Sequence, residues 1–229
     1  MADYINKNIL SQAYIHVEPE ALDSEEAIAE FKEHITEFAR SRSNFYLYPD
    51  VSIEIEFEDG SLKARITVLG TVFLLMQGVA NYPDFREGVG LLCNDSKRLA
   101  EYMVSEAQFF AGSKHENVIR LEARTGVVGS LQKIILQLEQ IKRGAGGTML
   151  ARDLTVKLDK AQDEIQDLLD NLKDQKDHEL IKNGLASVVG EIPRNPKPPK
   201  EKTNGSLAVS SYQERRLRLR QYFGLSVNQ

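Results

Sequence analysis

"VSIEIEFEDGSLKARITVL", residues 51–69, alternates apolar and polar side chains on both sides of an Asp-Gly pair. Val51, Ile53, Ile55 and Phe57 fall on one face, with Ser52, Glu54, Glu56 and Glu58 on the other. After Asp59-Gly60, Leu62, Ala64, Ile66 and Val68 alternate with Lys63, Arg65 and Thr67. A period of two is that of a half-buried strand, and glycine supplies the positive φ a tight turn needs. The carboxylates of the first strand stand opposite Lys63 and Arg65 of the second, a favourable cross-strand pairing. A hairpin with one apolar face is marginal in water without a cover. The stretch therefore predicts an α+β fold: a small antiparallel β-sheet built on residues 51–69 and covered by helices.

The flanking sequence supplies the cover. "LSQAYIHV", residues 10–17, reads as a first strand. Asp23 with Glu26 three residues later forms a capping-box pattern ahead of a helix over about 24–41. On that helix Ile28, Phe31, Ile35 and Phe38 make one apolar stripe. Beyond the hairpin, Thr71 to Ala80 reads as a short helix, Tyr82-Pro83 as a break, and about Asp84 to Ala111 as a long helix stopped by Gly112. "NVIRLEART", residues 117–125, alternates well enough for a strand, which is preferred here over the start of a helix.

The second half is helical in pattern. Leu150, Leu154, Leu158, Ala161, Ile165, Leu168 and Leu172 recur near the 3.5-residue spacing of a coiled-coil seam. Val128, Leu131, Ile135 and Leu138 do the same upstream, and "RGAGGT" joins the two runs. A short connector makes them antiparallel neighbours, so a projecting helical hairpin is expected, followed by a short helix near 177–188. "EIPRNPKPPKEKTNGS", residues 191–206, has four prolines and almost no apolar residue, and reads as a disordered linker. The resulting division is an α+β core over 1–126, a helical hairpin region over 127–190, a linker over 191–206 and a basic amphipathic tail over 207–229.

Charge divides the chain in the same way. The net charge is −5, but residues 191–229 carry eight Lys or Arg against three Glu. An acidic body thus bears a basic tail, a split that points to an interaction without naming the partner. One cysteine, Cys93, excludes an internal disulfide. The absence of a basic start followed by an apolar core in the first twenty residues leads to an expectation of cytoplasmic localisation.

The most apolar stretch is "ITVLGTVFLLMQGVA", residues 66–80. A membrane-spanning helix needs about 20 apolar residues, and the first four here belong to the hairpin. A buried core segment is therefore the favoured reading, with exposure to membrane on activation as the rival.

Chemistry-bearing motifs are sparse. His16, His34, His115 and His178 have no metal-ligand spacing, and Cys93 has no base at hand in sequence. "RGAGGT" lacks the ending of a P-loop, and the GxxG of "TGVVGSLQKI" has Val127 and Val128 where a nucleic-acid clamp places polar or basic residues. No cofactor or metal is expected. Two groups remain: a possible pocket at Tyr82, Asp84, Arg86 and Glu87, and a partner-binding tail formed by Arg215, Arg216, Arg218, Arg220, Tyr222 and Phe223.

The functional expectation is a non-enzymatic interaction or assembly protein. It would engage another protein, or a second copy of itself, through the helical hairpin and the tail. The rivals are a membrane-active effector using residues 66–80 and a nucleotide- or nucleic-acid-binding protein. The handful of tail arginines makes nucleic acid the least favoured partner.

Overall fold

The structure is a computed structural model that describes residues 5, 7–18, 24–47, 51–58, 62–78, 85–112, 114 and 117–226. In chain order the elements are β1 (Ile9–Val17), α1 (Glu25–Tyr46), β2 (Ser52–Glu58), β3 (Leu62–Leu69), α2 (Val72–Gly78), α3 (Phe85–Phe110), β4 (Val118–Arg124), α4 (Gly126–Ala145), α5 (Ala151–Asn171), α6 (Gln175–Gly190) and α7 (Ser206–Tyr222). The fold is α+β. Two compact units divide within α4, one ending at Ser130 and the other beginning at Leu131.

In the first unit the hairpin forms in the register its alternation dictates, Ile55 opposite Ile66 and Glu56 opposite Arg65. The segment over 117–125 is a strand. The Asp59-Gly60 turn lies outside the described residues. Strand order is β2-β3-β1-β4, and every neighbouring pair is antiparallel. With helical segments between β1 and β2 and between β3 and β4, this is the β-α-β-β-α-β connectivity of the split βαβ, or ferredoxin-like, arrangement.

One sheet face is dry. Ala13, Ile15, Val17, Ala64, Ile66 and Val68 are fully buried. Phe31 ties three elements together, its ring 6.2 Å from Phe57 of β2 and 5.9 Å from Phe110 of α3. The Ser11 hydroxyl donates to Ser96 O at 2.8 Å inside the core and pins β1 to α3. Ala39 and Ser43 of α1 and Ser96 and Ala100 of α3 are all buried; small residues let the two helices pack closely.

Residues 66–76 mostly serve this core; the rest of the apolar stretch, 77–80, lies outside the residues whose side chains are described. Ile66, Val68, Val72 and Leu75 are buried, Phe73 is half-buried, and Leu74 is 44% exposed. No helix among the described residues is long and apolar enough to cross a membrane.

Two local expectations are corrected. The cap of α1 is Ser24, whose hydroxyl accepts from Ala27 N at 3.1 Å; Asp23 lies outside the described residues. The helix also runs on to Tyr46 rather than stopping near 41. The apolar stripe and the termination are separate signals, and nothing between 41 and 46 breaks a helix. At the GxxG motif, Gly126 adopts φ +49 and a Cβ there would sit 1.8 Å from Ile9 O. Glycine is required at that turn by backbone geometry and close approach.

In the second unit, Lys133 meets Glu164 at 2.9 Å and Lys157 meets Gln140 at 3.0 Å, so α4 and α5 are antiparallel. The seam residues Leu131, Ile135, Leu138, Leu154, Leu158, Ala161, Ile165 and Leu168 are buried, together with Ile181, Leu185 and Val189 of α6 and Leu219 of α7. The hairpin is packed into this unit. Its apolar seam is enclosed within the unit, and α7 lies close along α5.

The expected disordered linker is a fixed strap. A helix leaves four amides unbonded at its start and four carbonyls at its end, and the strap and tail supply partners for some of them. Lys197 N donates to Ala145 O at the end of α4 (2.9 Å). Asn204 Oδ1 accepts from Ala151 N at the start of α5 (3.0 Å), where Leu150 offers no side-chain cap. Ile192 of the strap is buried. Composition flagged disorder because proline and lysine bury little apolar area; helix-end hydrogen bonds order the segment instead.

Candidate interaction surfaces

The tail is a helix lying on its own unit, and its residues are used internally. Arg216 and Arg220 are 4% and 2% exposed. Arg216 Nε donates to Ile192 O at 2.7 Å, and Arg220 donates to Gly190 O at 3.2 Å and to Ser226 O at 2.8 Å. Gly190 ends α6, so the guanidinium sits at the negative end of that helix. Burial, and then the neighbouring Arg220 charge, lower the Arg216 pKa. Arg215 pairs with Asp159 at 2.9 Å, and Arg218 pairs with Glu214 on the same helix. Phe223 is buried and Tyr222 half-buried, in edge contact with each other. Of the six tail residues expected to meet a partner, only Arg218 is largely exposed. In sequence the alternation of Arg with Leu suggests an amphipathic surface. In a helix it instead sends Arg216, Leu219 and Arg220 to one buried side.

At the other expected location, Tyr82 and Asp84 lie outside the described residues. Arg86 is half-buried and Glu87 exposed in the first turn of α3. The amides of "RGAGGT" are occupied: those of Gly146, Gly147 and Thr148 bond to the carbonyls of Arg143 and Gly144. Cys93 is half-buried, and burial pushes its thiol pKa up, away from the thiolate a nucleophile needs. His34 is held by Glu106 at 2.7 Å and stacks on Phe110 at 4.4 Å. Among the described residues no His, Cys, Asp and Glu cluster could hold a metal ion.

A surface absent from the sequence reading lies on the outer side of α1 and α3. Phe45 is 75% exposed and Tyr102 50%. The rings are continuous: Phe45 meets Tyr46 edge-on at 5.1 Å, and Tyr46 stacks on Tyr102 at 5.8 Å. Arg42 lies over Phe38 at 5.3 Å. Partial burial, then the Tyr102 hydroxyl, raise the Tyr46 phenol, while Arg42 and Arg98 act on it from the opposite direction. Arg42 and Arg98 are exposed, and neither has a carboxylate within salt-bridge distance among the described residues. Several cationic side chains elsewhere in this unit are paired, Lys63 with Glu58, Arg65 with Glu56, and Arg120 and Arg124 both with Glu122. The sequence signal is "FARSRSNFY", residues 38–46: the rings of Phe45 and Tyr46 and the arginines Arg40 and Arg42, all off the buried stripe, on a helix that runs past residue 41.

The second open surface is the polar sheet face. Its rows run Glu54, Thr67, Gln12, Arg124, then Glu56, Arg65, Tyr14, Glu122, then Glu58, Lys63, His16, Arg120. Tyr14 lies near the centre, with Arg65 and Arg120 over its ring at 5.9 and 5.4 Å. The Arg120 guanidinium, joined by Arg124, holds the Glu122 carboxyl below its ordinary range. The Lys63 ammonium does the same to Glu58.

No protein-family model matches this chain, and neither a curated protein nor a solved structure is significantly similar to it.

Proposed function

We propose that the chain is a non-enzymatic interaction protein that docks an acidic segment of another protein on the α1–α3 face. The carrying observation is the pair Arg42 and Arg98, exposed and in no salt bridge among the described residues, with Asp95 the carboxylate that feels the Arg98 charge, set among the rings of Phe38, Phe45, Tyr46 and Tyr102. Tyrosine and arginine are the residues that concentrate binding energy at protein interfaces. An arginine over an aromatic ring is pre-positioned for a carboxylate, because its fork is planar and less of its freedom is lost on binding. Charge complementarity therefore calls for Asp or Glu on the partner, and the rings call for an apolar anchor beside them.

A membrane surface is the weaker fit. Polybasic lipid binding draws on about four to eight Lys or Arg at roughly 1 kcal/mol each, more than this face presents. Selection of a displayed peptide library on the full chain tests the reading. Enriched peptides should combine Asp or Glu with an aromatic or leucine anchor. They should bind the Arg42→Glu variant at least about thirtyfold more weakly, the size of one interface hot spot. No enrichment, enrichment that survives Arg42→Glu, or binding confined to anionic vesicles would each overturn the proposal.

A further inference from the structure

The polar sheet face carries a depression of about 390 Å³, within the size range of small-molecule sites. Its floor is the row Glu54, Thr67 and Gln12, with the Gln12 amide donating to Thr67 Oγ1 at 3.0 Å. Arg65 forms one side, held in place by Glu56 at 3.0 Å. Ile9 and Leu69 line the end, paired in register across β1 and β3. Ile9 reaches this face because the register shifts between Ile9 and Ser11: the extra residue turns Leu10 and Ser11 into the core and Ile9 the other way.

The lining charges are not all neutralised. Lys7 and Glu54 each lack an ion-pair partner among the described residues, whereas Arg65 and Glu56 satisfy one another. Glu54 is on β2 and Lys7 precedes β1, with β3 between those strands. Two strand spacings separate the backbones by about 9.5 Å, so both side chains can lean over the depression and still leave room between them. The cavity thus offers an acceptor on one flank, donors on the other and an aliphatic end.

We propose that this depression binds a small zwitterion, an α-amino acid with an aliphatic side chain. Its ammonium meets Glu54 and the Gln12 carbonyl oxygen, its carboxylate meets Lys7 and the free edge of Arg65, and its side chain lies on Ile9 and Leu69. The site is on the opposite side of the sheet from the helices that carry the docking face, so the two proposals stand or fall separately.

Calorimetric titration of the full chain with L-leucine tests it, alongside leucinamide, which lacks the carboxylate, and 4-methylpentanoate, which lacks the ammonium. Leucine should bind saturably below about 10 mM, and each analogue should bind at least about tenfold more weakly, since each leaves one charged group of the site unpaired. Glu54→Gln and Lys7→Gln should each weaken leucine by a similar factor while leaving the thermal midpoint of the free protein unchanged. Absence of saturable heat, equal binding of 4-methylpentanoate, or full binding by Glu54→Gln would overturn it.

Discussion

The molecule holds two contrasting sets of arginines. Arg216 and Arg220 are buried in the second unit and donate to main-chain carbonyls at Ile192, Gly190 and Ser226. Arg42 and Arg98 lie open on the first unit's helices, beside exposed rings and in no salt bridge among the described residues. In sequence the first set looks like the interaction motif, since it is dense and terminal; the second is scattered. In the structure the dense set is used mostly within its own unit, and the scattered set lies open. A dense run of arginine in a helix must send some of its members inward, and there they close helix ends and fix a strap. Isolated arginines off an apolar stripe are the ones left facing out.

If this contrast holds, removing the buried guanidinium should cost far more stability than removing an exposed one. Arg220→Met keeps the stem but strips the hydrogen bonds to Gly190 O and Ser226 O. Loss of charged, part-buried hydrogen bonds from a buried guanidinium to main-chain carbonyls predicts a destabilisation of about 3 kcal/mol, measured by urea unfolding followed by helical circular dichroism. A loss under about 1 kcal/mol would mean that the tail is only loosely held and remains available to a partner.

Tyr212 gives a smaller effect with a pH signature. Its hydroxyl donates to Pro193 O at 2.6 Å, and Tyr212→Phe should cost roughly 1 kcal/mol. Burial pushes this phenol up to about 12, with Arg216 pulling the other way. The folded state resists ionisation while the unfolded chain ionises near pH 10, so the stabilisation is complete below that value. It should be lost between about pH 10 and 12, at no more than roughly 1.4 kcal/mol per pH unit. Unfolding midpoints from pH 9 to 12 should therefore fall less steeply in Tyr212→Phe than in the parent, and parallel curves would contradict the burial of the strap against α7.

How far the sequence could be read follows from which interactions leave a periodic trace. The hairpin, the stripe of Phe31 and Ile35, and the seam from Leu154 to Leu168 all advertise burial through spacing, and each lies buried, or half-buried along β2, where its period placed it. The strap left no such trace. Its order comes from Asn204 capping Ala151 and Lys197 reaching Ala145, single hydrogen bonds over about fifty residues that no local pattern encodes. The proposed docking face leaves no periodic trace for the opposite reason. Exposed rings such as Phe45 break the pattern, and a reading built on apolar periodicity discards them. The depression on the sheet depends on a register shift at Leu10, which alternation within β1 does not reveal.

The smallest expected effect is the most telling about the exposed set. Phe45 is 75% exposed and touches its neighbour Tyr46 only edge-on, so little of its surface is removed from water by folding. Phe45→Ser should leave stability within about 0.5 kcal/mol of the parent. If the ring is there for a partner, the same change should weaken the acidic peptides selected on this face by about tenfold or more, read by fluorescence anisotropy. The two measurements separate the alternatives. A stability loss above about 1.5 kcal/mol would show that Phe45 packs inside the protein, which would remove the face from consideration. Unchanged stability with unchanged peptide affinity would leave the arginines without the apolar anchor that the docking reading requires.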